Sequence, residues 1–147
     1  MRYILVIFGI LGLDLSTKKL ISEQMEIGEE KEIIKNTFYF RHIKNTGFAY
    51  HKFAGQRKLI LSLTSAIIGI QTFLLHKKIQ EKNKGLSMAH AVIMGGALGN
   101  FLERWKKNHV TDFLFIKKGS NAPIFNIADL ALFFGFLLYF FHMNKED

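Results

Sequence analysis

The chain has no cysteine and a single proline among its 147 residues. Without Cys there is no disulfide framework, no thiolate zinc site and no thiol nucleophile. The same absence leaves the redox compartment open. Acidic residues are sparse, 12 Asp+Glu against 20 Lys+Arg, for a formal net charge of +8. Such a balance suits nucleic acid, but here the charge falls in short clusters between apolar stretches, the arrangement expected at membrane surfaces. Other signatures are missing too. There is no HExxH or other metal-ligand spacing, no Gly-x-Ser-x-Gly elbow, no internal repeat and no low-complexity segment. After the first apolar stretch, Asp14-Leu15-Ser16-Thr17-Lys18-Lys19 offers no small-x-small cleavage pattern, so that stretch reads as an uncleaved anchor.

Apolar sequence is abundant. Fifteen Phe and 49% hydrophobic residues are too many for a disordered chain and unusual for a soluble basic one. Residues 59–75 and 86–102 contain no Asp, Glu, Lys or Arg. Both are long enough to cross a bilayer, which takes about 20 residues. Residues 3–13, continued past Asp14 to Ile21, and residues 130–141, continued back through Ala128, span if their end turns tolerate a charge. A soluble bundle would need polar faces, and residues 59–75 have only Ser62, Thr64, Ser65, Gln71 and Thr72 to make one. The expectation is an all-α membrane protein of one domain, 1–147, with four transmembrane helices at about 3–21, 58–76, 86–104 and 125–142. Lys77, Lys78, Lys82 and Lys84 between the second and third spans place that connection, and both termini, in the cytoplasm.

The long connection between the first two spans reads as a small β-hairpin or sheet platform over residues 36–54 on the outer membrane face. In that reading Thr37 to Ile43 is one strand, Asn45-Thr46-Gly47 the turn and Phe48 to Phe53 the second strand. The acidic stretch from Glu23 to Glu32 reads as solvated surface.

Polar residues at membrane depth are few, and each is costly unless it faces a partner or a cavity. Asp14 and Lys18 are four apart, the favourable order for a helical ion pair, although taken alone they read first as a span end with a snorkelling Lys. Gly95 and Gly99 form a GxxxG pattern suited to close helix packing. Asn100, Glu103 and Arg104 follow, with Arg104 able to pair with Glu103 or another carboxylate. Asp112 stands alone in the apolar Val110–Ile116. Asn126 reads as the N-cap of the last helix and Asp129 as its partner three residues on. If Asp112 and Asp129 meet across a cavity, like charge pushes one pKa up. Such a pair can activate water, direct it at an amide carbonyl and protonate the leaving nitrogen, which is peptide hydrolysis without a metal or cofactor.

These residues fall in boxes that resemble those of the bacterial lipoprotein signal peptidases, the type II signal peptidases. Asp14-Leu15-Ser16-Thr17-Lys18 is similar to the family's Asp-x-x-Thr-Lys. Asn45-Thr46-Gly47-Phe48-Ala49-Tyr50 resembles its Asn-x-Gly-Ala-x-Phe. Gly95 to Arg104 resembles Gly-Gly-Ala-x-Gly-Asn-x-x-Asp-Arg, while Val110-Thr111-Asp112-Phe113 and Phe125-Asn126-x-Ala128-Asp129 resemble the two catalytic boxes. The resemblance implies an aspartic endopeptidase of the bacterial cytoplasmic membrane. It would act as a monomer on lipid-modified prolipoproteins among membrane lipids, without nucleic acid, cutting before the diacylglyceryl-Cys. Asp112 and Asp129 would be the catalytic dyad. Asp14, Lys18, Asn45, Gly47, Asn100, Glu103, Arg104, Asn126 and Ala128 would bind substrate or support the site. Three departures stand out: Glu103 for the family's Asp, Phe48 for a small residue, and Tyr50 for Phe. None touches the dyad, so activity is expected. The rival readings are an inactive homologue that binds signal peptides and a small proton-coupled carrier using the same acids.

Overall fold

A computed structural model describes residues 1–47, 52–117 and 122–144. In chain order the elements are α1 (Arg2–Gln24), β1 (Glu30–Ile34), β2 (Phe38–Asn45), α2 (Arg57–Gln80), α3 (Lys84–Lys107), β3 (Val110–Ile116), β4 (Ile124–Phe125) and α4 (Ile127–Met143). The protein is mostly helical, with one antiparallel four-stranded sheet in the order β1-β2-β3-β4.

α3 is the central helix, packed against α1, α2 and α4. Small residues let it take that place. A Cβ on Gly96 would lie 2.5 Å from the Ala128 carbonyl oxygen of α4, and one on Gly99 would lie 2.5 Å from Asp14 Oδ2 of α1. Close packing is therefore the role of the glycine run, and it draws α1 and α4 onto the same face of α3. α2 and α3 are long and apolar enough to cross a membrane. α4 is apolar but has only 17 residues, and Phe134, Phe140 and Phe141 on it are exposed.

The sheet sits on the C-terminal end of α1. Ile21 of that helix and Met25 just after it form a small core with Phe113 of β3, against which Phe40 packs edge-on at 6.0 Å between ring centroids. His42 of β2 is buried, and its Nδ1 donates to the Met25 carbonyl at 2.9 Å.

Two expectations are corrected here. The hairpin found precedes β2: β1 pairs with β2, and the chain reverses through Asn36, whose φ is +56°, while residues 48–51 of the expected second strand lie outside the described residues. β1 lies in the acidic stretch read as bare surface, because an exposed edge strand has no buried face to impose alternation. Residues 52–55 form a turn, not a second strand. Phe48 and Tyr50, two of the three departures from the family boxes, lie outside the described residues. The last helix has the expected N-cap, Asn126, and Phe125 before it belongs to β4.

Candidate active site

The first turn of α4 carries one acid. Asn126 accepts from the backbone N–H of Asp129 at 2.9 Å, and Asp129 Oδ2 accepts from the backbone N–H of Asn126 at 3.2 Å, which completes a capping box. The cap holds Asp129 at the mouth of the helix. Its other oxygen accepts from Asn100 Nδ2 of α3 at 2.8 Å.

The second acid comes from the sheet. Asp112 lies on β3 opposite Ile43 of β2, near where β2 ends at Asn45. Asn45 Nδ2 donates to Asp112 Oδ2 at 2.9 Å, while its own carbonyl oxygen accepts from the Gly47 N–H and turns the chain after the strand. Asn126 Nδ2 donates to Asp112 Oδ1 at 2.7 Å. One fully buried amide thus caps the helix of Asp129 and holds Asp112.

Asn100 completes the link. Its carbonyl oxygen accepts from Lys18 Nζ at 2.9 Å and from Asn126 Nδ2 at 3.1 Å, which leaves its NH₂ group to face Asp129. Lys18 is 1% exposed and contacts Asp14 Oδ2 at 2.7 Å and Glu103 Oε2 at 3.4 Å. Asp14 Oδ1 in turn accepts from the Ala128 N–H at 2.8 Å, a donor that the first turn of a helix leaves without an intrahelical partner. The Asp14–Lys18 pair is therefore a buried tie between α1, α3 and α4, not a snorkelling end. Removing one member would strand the other's charge in the interior, a change worth about 3–5 kcal/mol. Arg104 Nη2 donates to the Gly47 carbonyl at 2.7 Å, fixing the turn after β2 to α3.

The expected site residues thus meet at one end of the bundle. Asn45, Gly47, Asn100, Arg104, Asp112, Asn126 and Asp129 all border one cavity of about 890 Å³. Its other walls are greasy: Ile67 from α2, Ile93 and Ala97 from α3, and Phe133 and Phe136 from α4. Asp112 is 5% exposed. Burial, reinforced by the charge of Asp129, pushes its carboxyl up from 3.8 to about 7, against the opposing donors from Asn45 and Asn126.

Two contacts were not anticipated. Thr111, fully buried beside Asp112, gives both its backbone N–H and its hydroxyl to Glu103. A Thr within an otherwise apolar strand that already carries one acid is the signal that could have flagged it. The bond from Ala128 to Asp14 joins residues far apart in the chain and has no local signal at all.

The class this arrangement defines is that of small helical membrane enzymes. Two solved structures, each titled a bacterial membrane enzyme determined by the in meso method, match 99% of this chain with TM-scores of 0.89 and 0.87. Both are 28% identical to it, and the alignments cover 88% and 94% of those chains. Within that class, residues 6–145 match the family model of signal peptidase (SPase) II, and the chain belongs to that peptidase family. Lipoprotein signal peptidases from Bacillus subtilis and from Listeria monocytogenes serotype 4b are 38% and 33% identical to it. Each alignment covers all of this chain and 96% of the relative.

Proposed function

We propose that this protein is a four-span aspartic endopeptidase that removes signal peptides from diacylglyceryl-modified prolipoproteins by cutting before the lipidated Cys. The observation that carries the reading is the convergence of Asp112 and Asp129 on one cavity, joined through Asn126 and Asn100.

The pair holds one proton between its carboxyls below about pH 7, because two buried acids in mutual range do not both ionise freely. The charged member takes a proton from water, and the resulting oxygen adds to the scissile carbonyl carbon. The protonated member supports the developing oxyanion. When the tetrahedral species collapses, the C–N bond breaks and a proton passes to the leaving nitrogen. The products are a new carboxyl on the signal peptide and a free amine on the lipidated Cys, and the pair returns to its starting protonation. Asn45, Asn126 and Asn100 hold the carboxyls; Asp14, Lys18 and Ala128 seat the helix that carries Asp129. Gly47, fixed by Arg104, borders the groove where substrate backbone would lie.

The walls suit a greasy substrate. α2 and α4 flank the cavity over α3, and Ile67 faces it from one side and Phe133 and Phe136 from the other. An apolar signal segment or acyl chain entering from the bilayer would lie against them. The Lys-rich connection between α2 and α3 is at the far end of α3 from the site, which supports cytoplasmic termini and a site near the outer face of a bacterial cytoplasmic membrane. The acids gather at one end of the bundle, which favours hydrolysis over a proton relay across it.

The test is cleavage by the purified protein in detergent. A diacylglyceryl-modified prolipoprotein is expected to release its signal peptide equally well with and without EDTA, while the same precursor lacking the lipid is a far poorer substrate. Equal cleavage of both precursors, or loss of cleavage on chelation, would contradict the reading.

A further inference from the structure

Glu103 occupies a position where one methylene matters. It lies just before the last turn of α3, which is capped by Asn108 in the left-handed conformation, φ +67°, two residues before β3. Its carboxylate reaches across this short link. Oε2 accepts from the backbone N–H of Thr111 at 2.9 Å, and Oε1 accepts from the Thr111 hydroxyl at 2.8 Å. Lys107 Nζ approaches Oε1 at 3.1 Å, and Lys18 Nζ approaches Oε2 at 3.4 Å. Both Glu103 and Thr111 are buried. The next residue along β3 is Asp112.

We propose that Glu103 is a positioning residue for the reaction, clamping Thr111 at both its N–H and its hydroxyl so that β3 presents Asp112 to Asn45, Asn126 and the cavity. The proposal rests on the reading of Asp112 and Asp129 as the catalytic pair. Three features of the clamp support it. It binds the backbone of the residue adjoining the acid, so it acts on the strand itself. It uses both carboxylate oxygens on one partner, which fixes angle as well as distance. And it shares Lys18 with Asn100, so the ammonium that orients the amide facing Asp129 also braces the carboxylate behind Asp112. An Asp at 103 would end about 1.5 Å short. Both Thr111 contacts would then leave hydrogen-bond range unless β3 moved towards α3. In this chain the longer acid and the Thr hydroxyl work as a matched pair, and Glu103 is not a loose copy of a shorter residue.

The test uses the full-length protein in detergent and two mild variants, Glu103→Asp and Thr111→Val, singly and together. Amide hydrogen exchange reads the clamp whether or not the protein turns over. The Thr111 N–H is expected to exchange about tenfold faster in Glu103→Asp, with the ladder amides of Phe113 and Phe115 unchanged. Cleavage kinetics read the consequence. Glu103→Asp should lower kcat about tenfold and Thr111→Val about threefold, each with KM within about twofold. The double variant should be no slower than Glu103→Asp alone, since both remove one contact. Unchanged Thr111 exchange in Glu103→Asp would remove the clamp. Faster exchange with unaltered kcat, or single effects that multiply, would show that the clamp does not position the acid. A wild-type protein that cleaves no lipidated precursor would instead remove the reading on which the proposal rests, and the positioning role with it.

Discussion

α2 and α3 are both 24 residues long and both apolar enough to cross a bilayer, yet they play opposite parts. α2 is the greasier, with a mean hydropathy of 1.8 against 1.3, and it buries only Ile60. Its hydroxyls turn inward on the helix: Thr64 and Thr72 donate to carbonyls one turn back, Ile60 and Ile68. α3 is less apolar and is buried along most of its length. The difference follows from the solvent. Lipid tails are as apolar as Leu, so hydrophobicity does not drive one span against another. Small residues and polar partners do, and α3 has both, in its glycines and in Asn100, Glu103 and Arg104. The greasier helix is left to face lipid and to form one wall of the cavity.

Substitutions on the two helices and on the elements α3 holds should separate these roles. The largest effect belongs to the dyad. Asp112→Asn and Asp129→Asn should each lower the rate of lipoprotein cleavage at least about a thousandfold, and the double variant should be no slower than either, as groups acting as a unit behave. Leu63→Ala, on the exposed face of α2, should stay within about twofold in the same assay. Next comes Gly99→Ala. Its Cβ would press on Asp14 Oδ2 at 2.5 Å and on the Ala128 Cβ at 3.2 Å, costing about 1–3 kcal/mol by thermal unfolding.

A third effect depends on pH. The Asp112 carboxyl, raised from 3.8 to about 7, binds its proton more tightly in the folded protein than in the unfolded chain. Its contribution to stability is complete below about pH 4 and is lost as pH rises through about 7. Asp112→Asn should therefore melt about 3–6 °C above wild type at pH 8.5, by less at pH 5, and close to wild type only near pH 4. Equal melting curves at both would mean that the carboxyl is not strained by its surroundings. The smallest effect is expected on α2. A Cβ on Gly69 meets nothing within 4 Å, so Gly69→Ala should leave cleavage unchanged and raise stability by at most about 1 kcal/mol.

Much of the site was legible because its signals are local. Asp14 and Lys18 announce a pair by their spacing, Asn126 and Asp129 announce a cap, and Asp112 is conspicuous as the one acid in an apolar strand. What linked them was not legible. The amide of Asn100 is oriented by Lys18 and Asn126, and the N–H of Ala128 is met by Asp14, contacts that exist only once three helices have packed. β1 escaped notice because its charges read as surface, and an edge strand tolerates them. Asn45 was read as the start of a turn, and it is both that and the last residue of β2, where its side chain serves Asp112 and the turn alike.

The most direct measurement is kcat/KM for a lipidated prolipoprotein from about pH 4 to about pH 10. A bell-shaped profile is expected, with its upper limb falling near pH 7 as Asp112 loses the proton that the pair shares. A rate that keeps climbing through pH 9 would contradict a shared-proton pair of aspartates.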